Sequence, residues 1–163
     1  MTDIVIERVV DWQDTDAAGH YHHSTVVRWV EAAEAALLDR IGLRWLFGRI
    51  PRVRYEVDYL ERLWFGDTAS ISLSVGNVGR SSLRYDFIIT RIPAVTQPSL
   101  PEPSTIAARG VLTAAHVPNA DRGSMPWPDN IAAALRGAPL PDFGSAESNR
   151  QPPEFEPTST RRL

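Results

Sequence analysis

The stretch that decides the fold is Asp14–His23, with the sequence DTDAAGHYHH, which follows an alternating apolar segment and precedes a helical pattern. It combines two carboxylates, one glycine and three histidines at a predicted strand-to-helix junction. The backbone N–H groups at the start of a helix lack partners within the helix and attract negative charge. A carboxylate beside such groups supplies a base or nucleophile next to an anion site, which acyl transfer needs. We therefore place the candidate active site in this stretch.

A strand and a long helix are predicted on either side of this stretch. Alternating apolar residues predict a strand over Ile4–Trp12. Apolar residues recur near helical spacing over Val26–Leu38, which predicts a buried helix. Ser24 or Thr25 is the expected N-cap, and Gly42 is the expected stop.

The rest of the first 118 residues predicts an antiparallel sheet. The further strands are expected at Val53–Tyr59, Thr68–Val78, Ser82–Ile92 and Thr105–Val117, with a proline-rich loop at 93–104. One buried helix and one antiparallel sheet predict an α+β fold in which the sheet wraps the helix. Such a sheet leaves edges and a face uncovered, so we expect a homodimer, with a tetramer as the alternative.

The composition changes after Pro118, and this change divides the chain into a domain at 1–118 and an extension at 119–163. Within the extension, Asp129–Arg136 predicts a short helix. From residue 137 to the end, proline, serine, glutamate and glycine dominate, and we expect this tail to be mobile.

Composition excludes several classes of function. The chain has 163 residues and a net charge of −3, and it shows no dense basic run, so nucleic acid is not an expected partner. It contains no cysteine, which rules out disulfides, thiolate nucleophiles and cysteine-based metal sites. Neither a targeting signal nor an apolar run of the roughly 20 residues that span a membrane is seen, so we expect a cytoplasmic protein.

The pattern Asp-x-Asp-x-x-Gly before a long helix, followed by Glu31-Ala32-Ala33, resembles the hotdog-fold thioesterases. Within them the chain is similar to the 4-hydroxybenzoyl-CoA thioesterase family and its short-chain acyl-CoA branch, over about residues 4–117. The resemblance implies a hotdog fold, with an antiparallel sheet of about five strands around one long central helix. It also implies hydrolysis of a thioester of coenzyme A or of an acyl carrier protein, with no metal and no cofactor.

The resemblance also implies roles for individual residues. Asp16 would act as nucleophile on the thioester carbonyl or as general base for water, and the backbone N–H of His23 would polarise the carbonyl oxygen. Asp14 is expected to bond the backbone and shape the turn. The residues predicted to contact the substrate are Gly19, His20, His22, Glu31, Arg54 and Arg80. The arginines, together with Arg52 and Arg84, are candidates for holding phosphates.

Four alternatives remain open from the sequence. His20, His22 and His23 could chelate a metal, although ligands so close together would crowd the turn. His20 or His22 could pair with Asp16 in an acyl dehydratase or hydratase on the same fold. The chain could also bind acyl groups without turnover. Glu31 could be a buried glutamate satisfied by hydrogen bonds instead of a group that supports the site.

Overall fold

Five strands and two helices make up the computed structural model, which describes residues 2–94 and 103–140. The strands are β1 Asp3–Val9, β2 Arg52–Tyr59, β3 Thr68–Val78, β4 Ser82–Ile92 and β5 Thr105–Ala115. The helices are α1 Thr25–Arg40 and α2 Asp129–Leu135, and short 3-10 turns occur at Trp12–Asp14, Arg44–Leu46 and Ala120–Arg122. The predicted loop residues 95–102 and tail residues 141–163 lie outside the described residues.

The strands form a single antiparallel sheet in the order β1-β3-β4-β5-β2. One stripe of α1, at helical spacing, packs against this sheet and carries Val26, Val30, Ala33 and Leu37, all of which are fully buried. Alternate residues of the sheet, such as Ile71 and Leu73 of β3, are also fully buried. Since this one face of the sheet covers one helix, the observed architecture is the α+β arrangement that the sequence predicts.

The junction between β1 and α1 differs in two details from the sequence prediction. β1 ends at Val9 and not near Trp12, because the side chains of Asp11 and Asp14 cap a 3-10 turn over Trp12–Asp14. Ser24 does occupy the N-cap position of α1, but its side chain makes no capping hydrogen bond to the helix. Its hydroxyl lies 2.7 Å from Nδ1 of His22 instead.

α1 ends just before Gly42, as the sequence predicts. The helix ends at Arg40, and Gly42 adopts a φ of 73°, a left-handed conformation that costs glycine little. The N–H of Leu43 donates to the carbonyl of Leu38 at 2.7 Å, which closes the last turn.

The described part of the extension packs against the rest of the domain. The predicted short helix is present as α2, and its Ile131 and Leu135 are buried in the core. Trp127 donates its indole N–H to the carbonyl of Ser82 at 3.1 Å and stacks on His116 with 4.4 Å between ring centroids. Residues 119–140 therefore close the end of the sheet that carries the β3–β4 hairpin. No helix in the described ranges is long and apolar enough to cross a membrane.

Candidate active site

The stretch between β1 and α1 folds into a tight hairpin. The N–H of His22 donates to the carbonyl of Asp14 at 2.7 Å, and the N–H of Asp16 donates to the carbonyl of His20 at 3.0 Å. Gly19 closes the turn by donating to the carbonyl of Asp16 at 2.9 Å, with a φ of 80° that side-chain-bearing residues seldom adopt. These hydrogen bonds fix the position of Asp16 relative to the residues that precede α1.

Asp14 anchors this hairpin to α1. Its side chain is buried and accepts a hydrogen bond from the backbone N–H of Asp11 at 3.0 Å. Its other oxygen pairs with the guanidinium of Arg28, one turn into α1, at 2.9 Å. The hydroxyl of Thr25 donates to the carbonyl of Asp14 at 3.1 Å. Asp14 thus bonds the backbone and shapes the turn, and both of its carboxylate oxygens are occupied.

Asp16 contrasts with Asp14 in what its carboxylate contacts. One oxygen accepts from the N–H of Ala18 at 2.8 Å, which orients the side chain. The other oxygen has no hydrogen-bond partner among the described residues. The side chain is half-buried and lines a cavity. An oriented carboxylate with one available oxygen can act as a base or a nucleophile.

The residue before the N-cap of α1 lines the same cavity. His23 lies two residues before Thr25, the first residue of α1, and lines the cavity. Across the described ranges, no acceptor takes up the backbone N–H of His23. Its carbonyl, in contrast, accepts from the hydroxyl of Tyr59 at 2.8 Å. An N–H without a partner at a helix start can bind an oxyanion.

The cavity has a volume of about 420 Å³ and lies between the hairpin and the residues that follow β2. Its lining consists of Asp16, His20, Tyr21, His23, Tyr59, Leu60, Glu61 and Arg62. The aromatic rings provide apolar walls, and the charged groups are two carboxylates and one guanidinium.

The two tyrosines of the cavity keep their protons at neutral pH. Burial, with smaller contributions from the charges of Tyr59 and Glu61, raises the pKa of Tyr21 to about 12. Burial also raises the pKa of Tyr59. Tyr59 is therefore a hydroxyl donor, which fits its hydrogen bond to the carbonyl of His23.

A buried aspartate holds the loop that forms one wall of the cavity. Asp67 accepts hydrogen bonds from the backbone N–H groups of Trp64 at 2.8 Å and Ala94 at 2.9 Å, and from Nε of Arg91 at 2.7 Å. Burial alone would raise the pKa of Asp67, but these hydrogen bonds outweigh it and lower the pKa. Trp64 in turn pairs with His20 in a β-bridge, and their rings meet edge to face at 5.8 Å.

The three histidines have separate environments. His20 lines the cavity, and its Nδ1 lies 3.1 Å from the carbonyl oxygen of Tyr21. His22 lies outside the cavity lining, and its Nδ1 accepts from the N–H of Ser24 at 3.2 Å. In the part of the chain that the structure describes, no group of three or more His, Asp or Glu side chains is arranged to hold a metal ion.

Three of the residues predicted to bind substrate lie away from this cavity in the single chain. Glu31 lies eight residues beyond His23, about 12 Å along α1, and its half-exposed carboxylate lies 3.6 Å from Nε of Arg52. Arg54 is exposed on β2 and pairs with Glu56. Arg80 lies in the β3–β4 hairpin, at the opposite end of the sheet from Tyr59. Asp16, His20 and His23 all line the cavity, whereas Gly19 lies in the turn of the hairpin and is not among the lining residues.

The glutamate of α1 that is buried is Glu34 and not Glu31. Its side chain is fully buried and accepts a hydrogen bond from Arg52. Burial raises the pKa of Glu34, against the opposing effect of Arg52. The sequence pattern did not reveal Tyr59 to Arg62 as residues of the site, because they carry no local motif and are distant from the hairpin in sequence. They reach it through long-range contacts such as the hydrogen bond from Tyr59 to the carbonyl of His23.

The chain is similar to known proteins over much of its length. Residues 10–135 match the Thioesterase-like superfamily. The 1,4-dihydroxy-2-naphthoyl-CoA hydrolase of Synechococcus elongatus is 31% identical over an alignment of 94 positions, and the match covers 53% of this chain and 69% of that protein.

Solved structures share the fold. A thioesterase from Thermus thermophilus, complexed with coenzyme A and Zn, is 26% identical, with a TM-score of 0.65 over 83% of this chain and 95% of that one. A mutant 4-hydroxybenzoyl-CoA thioesterase complexed with 4-hydroxybenzoyl-CoA is 16% identical, with a TM-score of 0.69 over 83% of this chain and 99% of that one. The predicted hotdog fold and the resemblance to thioester hydrolases are confirmed. The chain belongs to the Thioesterase-like superfamily.

Proposed function

We propose that this cavity hydrolyses acyl-CoA thioesters, with Asp16 as the catalytic carboxylate and the backbone N–H of His23 as the donor to the thioester carbonyl oxygen. The observation that carries the proposal is that Asp16 and His23 line the same cavity. Asp16 has an oriented carboxylate with an available oxygen, and the N–H of His23 has no acceptor among the described residues. The carboxylate supplies the base or nucleophile, and the N–H stabilises negative charge as it develops on the carbonyl oxygen.

Two routes for Asp16 give the same products. As a general base, Asp16 takes a proton from water while the water oxygen bonds to the carbonyl carbon. As a nucleophile, its available oxygen bonds to that carbon and forms a mixed anhydride that water then cleaves. In both routes the C–S bond breaks, the electron pair leaves on sulfur, and the thiolate takes up a proton. Because a thiolate is a good leaving group, no cofactor and no strong acid is required.

We further propose an aromatic acyl group as the preferred substrate. Tyr21 and Tyr59 line the cavity with rings, 6.3 Å apart between centroids, and His20 adds a third. Aromatic groups pack favourably against such walls. The names of the 1,4-dihydroxy-2-naphthoyl-CoA hydrolase and the 4-hydroxybenzoyl-CoA thioesterase, which contain aromatic acyl groups, support the same choice. Thioesters of an acyl carrier protein are the alternative substrates.

We also propose that the enzyme is a homodimer, with a tetramer as the alternative. β1 and β2 are the edge strands of the sheet, and each pairs on one side only in the described chain. β2 exposes 62% of Val53, and β1 exposes 58% of Val5. Exposed apolar edge strands favour pairing with another copy.

We also propose that the enzyme acts in the cytoplasm, because a chain without cysteine needs no oxidising compartment.

Thiol release from a panel of aliphatic and aromatic acyl-CoA thioesters tests the proposed function. We expect free thiol to appear with a thiol-reactive dye, fastest for an aromatic acyl group. Release from a carrier-protein thioester but from no CoA thioester would reject CoA as the substrate. No thiol release together with a change in enoyl absorbance would reject hydrolysis in favour of a hydratase. Tight binding of acyl-CoA without turnover would leave only a binding role.

A further inference from the structure

Arg62 is an arginine of the cavity that has no ion-pair partner among the described residues. Among the described residues, no carboxylate lies within ion-pair distance of its guanidinium. Three of the arginines that the sequence suggests for phosphate binding form ion pairs with carboxylates of this chain. Arg52 pairs with Glu34, Arg54 with Glu56, and Arg84 with Asp86.

The backbone on both sides of Arg62 is fixed. The N–H groups of Leu60 and Glu61 both donate to the carbonyl of Ala107, at 2.8 and 3.1 Å. The carbonyl of Leu63 accepts from the N–H of Tyr21 at 2.8 Å. The backbone at Arg62 is therefore held in place on both sides, and its side chain is exposed beside the cavity.

The charged side chains that line the cavity are two carboxylates and one guanidinium. Asp16 and Glu61 contribute two negative charges to the lining, and Arg62 is the only arginine or lysine among the described residues that line it. The carboxylate of Glu61 accepts from the backbone N–H of Arg62 at 3.1 Å and does not pair with its guanidinium. Arg62 is therefore the arginine that can attract an anionic substrate against these two carboxylates. A guanidinium presents paired donors that match phosphate and carboxylate oxygens.

We propose that Arg62 recognises an anionic group of the thioester substrate by ion pairing. The inference rests on the proposed function, because it names what that same cavity selects. The anionic group has two sources with the same chemistry, the phosphates of coenzyme A and an acidic substituent on the acyl group. In either case Arg62 raises the affinity for substrate and leaves the chemical step to Asp16 and the N–H of His23.

The test compares Arg62→Gln and Arg62→Lys with Arg8→Gln as a matched control. Arg8 is also an exposed arginine, but it lies on β1 outside the cavity. We expect Arg62→Gln to raise the KM for acyl-CoA about tenfold with little change in kcat, the effect of losing one charge-assisted contact. Arg62→Lys should recover part of this loss because it keeps the charge. Arg8→Gln should match the wild type.

Two further substrates identify the source of the anion. If the KM effect disappears with the pantetheine thioester of the same neutral acyl group, Arg62 binds the phosphates. If it appears with a pantetheine thioester that carries a carboxylated acyl group, Arg62 binds the acyl substituent. An unchanged KM in Arg62→Gln for every charged substrate overturns the inference.

Binding measurements keep this result separate from the proposed function. If the wild type releases no thiol, the proposed function fails. Titration calorimetry of the intact thioesters then decides the role of Arg62 alone. About tenfold weaker binding of a charged thioester by Arg62→Gln supports the inference, and equal binding refutes it.

Discussion

Asp16 and Glu34 are two carboxylates on either side of the same helix start, and their surroundings differ in kind. Asp16 precedes α1, keeps one oxygen without a partner among the described residues and lines an open cavity with the N–H of His23. Glu34 lies inside α1, is fully buried, and is paired with Arg52 from β2. The first site leaves polar groups available, whereas the second surrounds its carboxylate with protein.

The difference shows where this fold can carry out chemistry. A buried carboxylate paired with arginine links α1 to the edge strand β2 but cannot reach a substrate. An oriented carboxylate in a cavity can, and the N–H of His23 near it has no acceptor within the described ranges. Changes at Glu34 should therefore alter stability, and changes around Asp16 should alter rate.

The largest effect on stability is expected for Glu34→Ala. This change leaves the largely buried guanidinium of Arg52 without its main partner, which should lower the free energy of unfolding by about 3 kcal/mol or more. Glu31→Ala is the control, since the half-exposed Glu31 lies 3.6 Å from Arg52 and should cost less than about 1 kcal/mol. Urea unfolding measures both free energies. Equal losses in the two variants would contradict the different roles assigned to the two glutamates.

A smaller, pH-dependent loss is expected for Asp67→Asn. The pKa of Asp67 is lowered in the folded protein, so its charge stabilises the fold above the ordinary pKa, and this contribution is lost as the pH falls through the lowered value. The variant should lose about 2 kcal/mol at neutral pH, the range for hydrogen bonds to a charged group. In strong acid, unfolding curves of variant and wild type should converge. A constant difference at all pH values would contradict this.

The smallest effect is expected for Tyr59→Phe, which removes the hydrogen bond to the carbonyl of His23. One such bond is worth about 1 kcal/mol, so kcat should fall about fivefold if it holds the His23 backbone in place. Steady-state thiol release measures this, and thermal unfolding checks that the fold is kept. A rate equal to that of the wild type would show that the His23 peptide is positioned without Tyr59.

Local patterns in the sequence were sufficient for the elements of the fold and for three of the eight residues that line the candidate cavity. Alternation and helical spacing depend on neighbouring residues, so β3, β4 and α1 were predicted within two residues of their ends. Asp16 and His23 were found because they share one short stretch. Tyr59 and Arg62 were not, because they are distant from that stretch in sequence and meet it through long-range contacts such as the hydrogen bond from Tyr59 to His23.

The two glutamates of α1 show a second limit. Glu31 and Glu34 are three residues apart and therefore lie near the same face of the helix. Nevertheless, Glu34 is fully buried and Glu31 is half-exposed. Which of them meets the sheet depends on how α1 is rotated against β2, and the sequence pattern does not fix that rotation.

The most direct measurement is the kcat of Asp16→Asn for thiol release from the best acyl-CoA of the panel. The asparagine oxygen can still accept from the N–H of Ala18, so the fold should keep its melting temperature. Asp39→Asn, on the exposed side of α1, is the matched control and should be as active as the wild type. We predict that Asp16→Asn lowers kcat about a hundredfold or more, the scale of losing a general base. Hydrolysis by Asp16→Asn at close to the wild-type rate would contradict the assignment of Asp16 as the catalytic carboxylate.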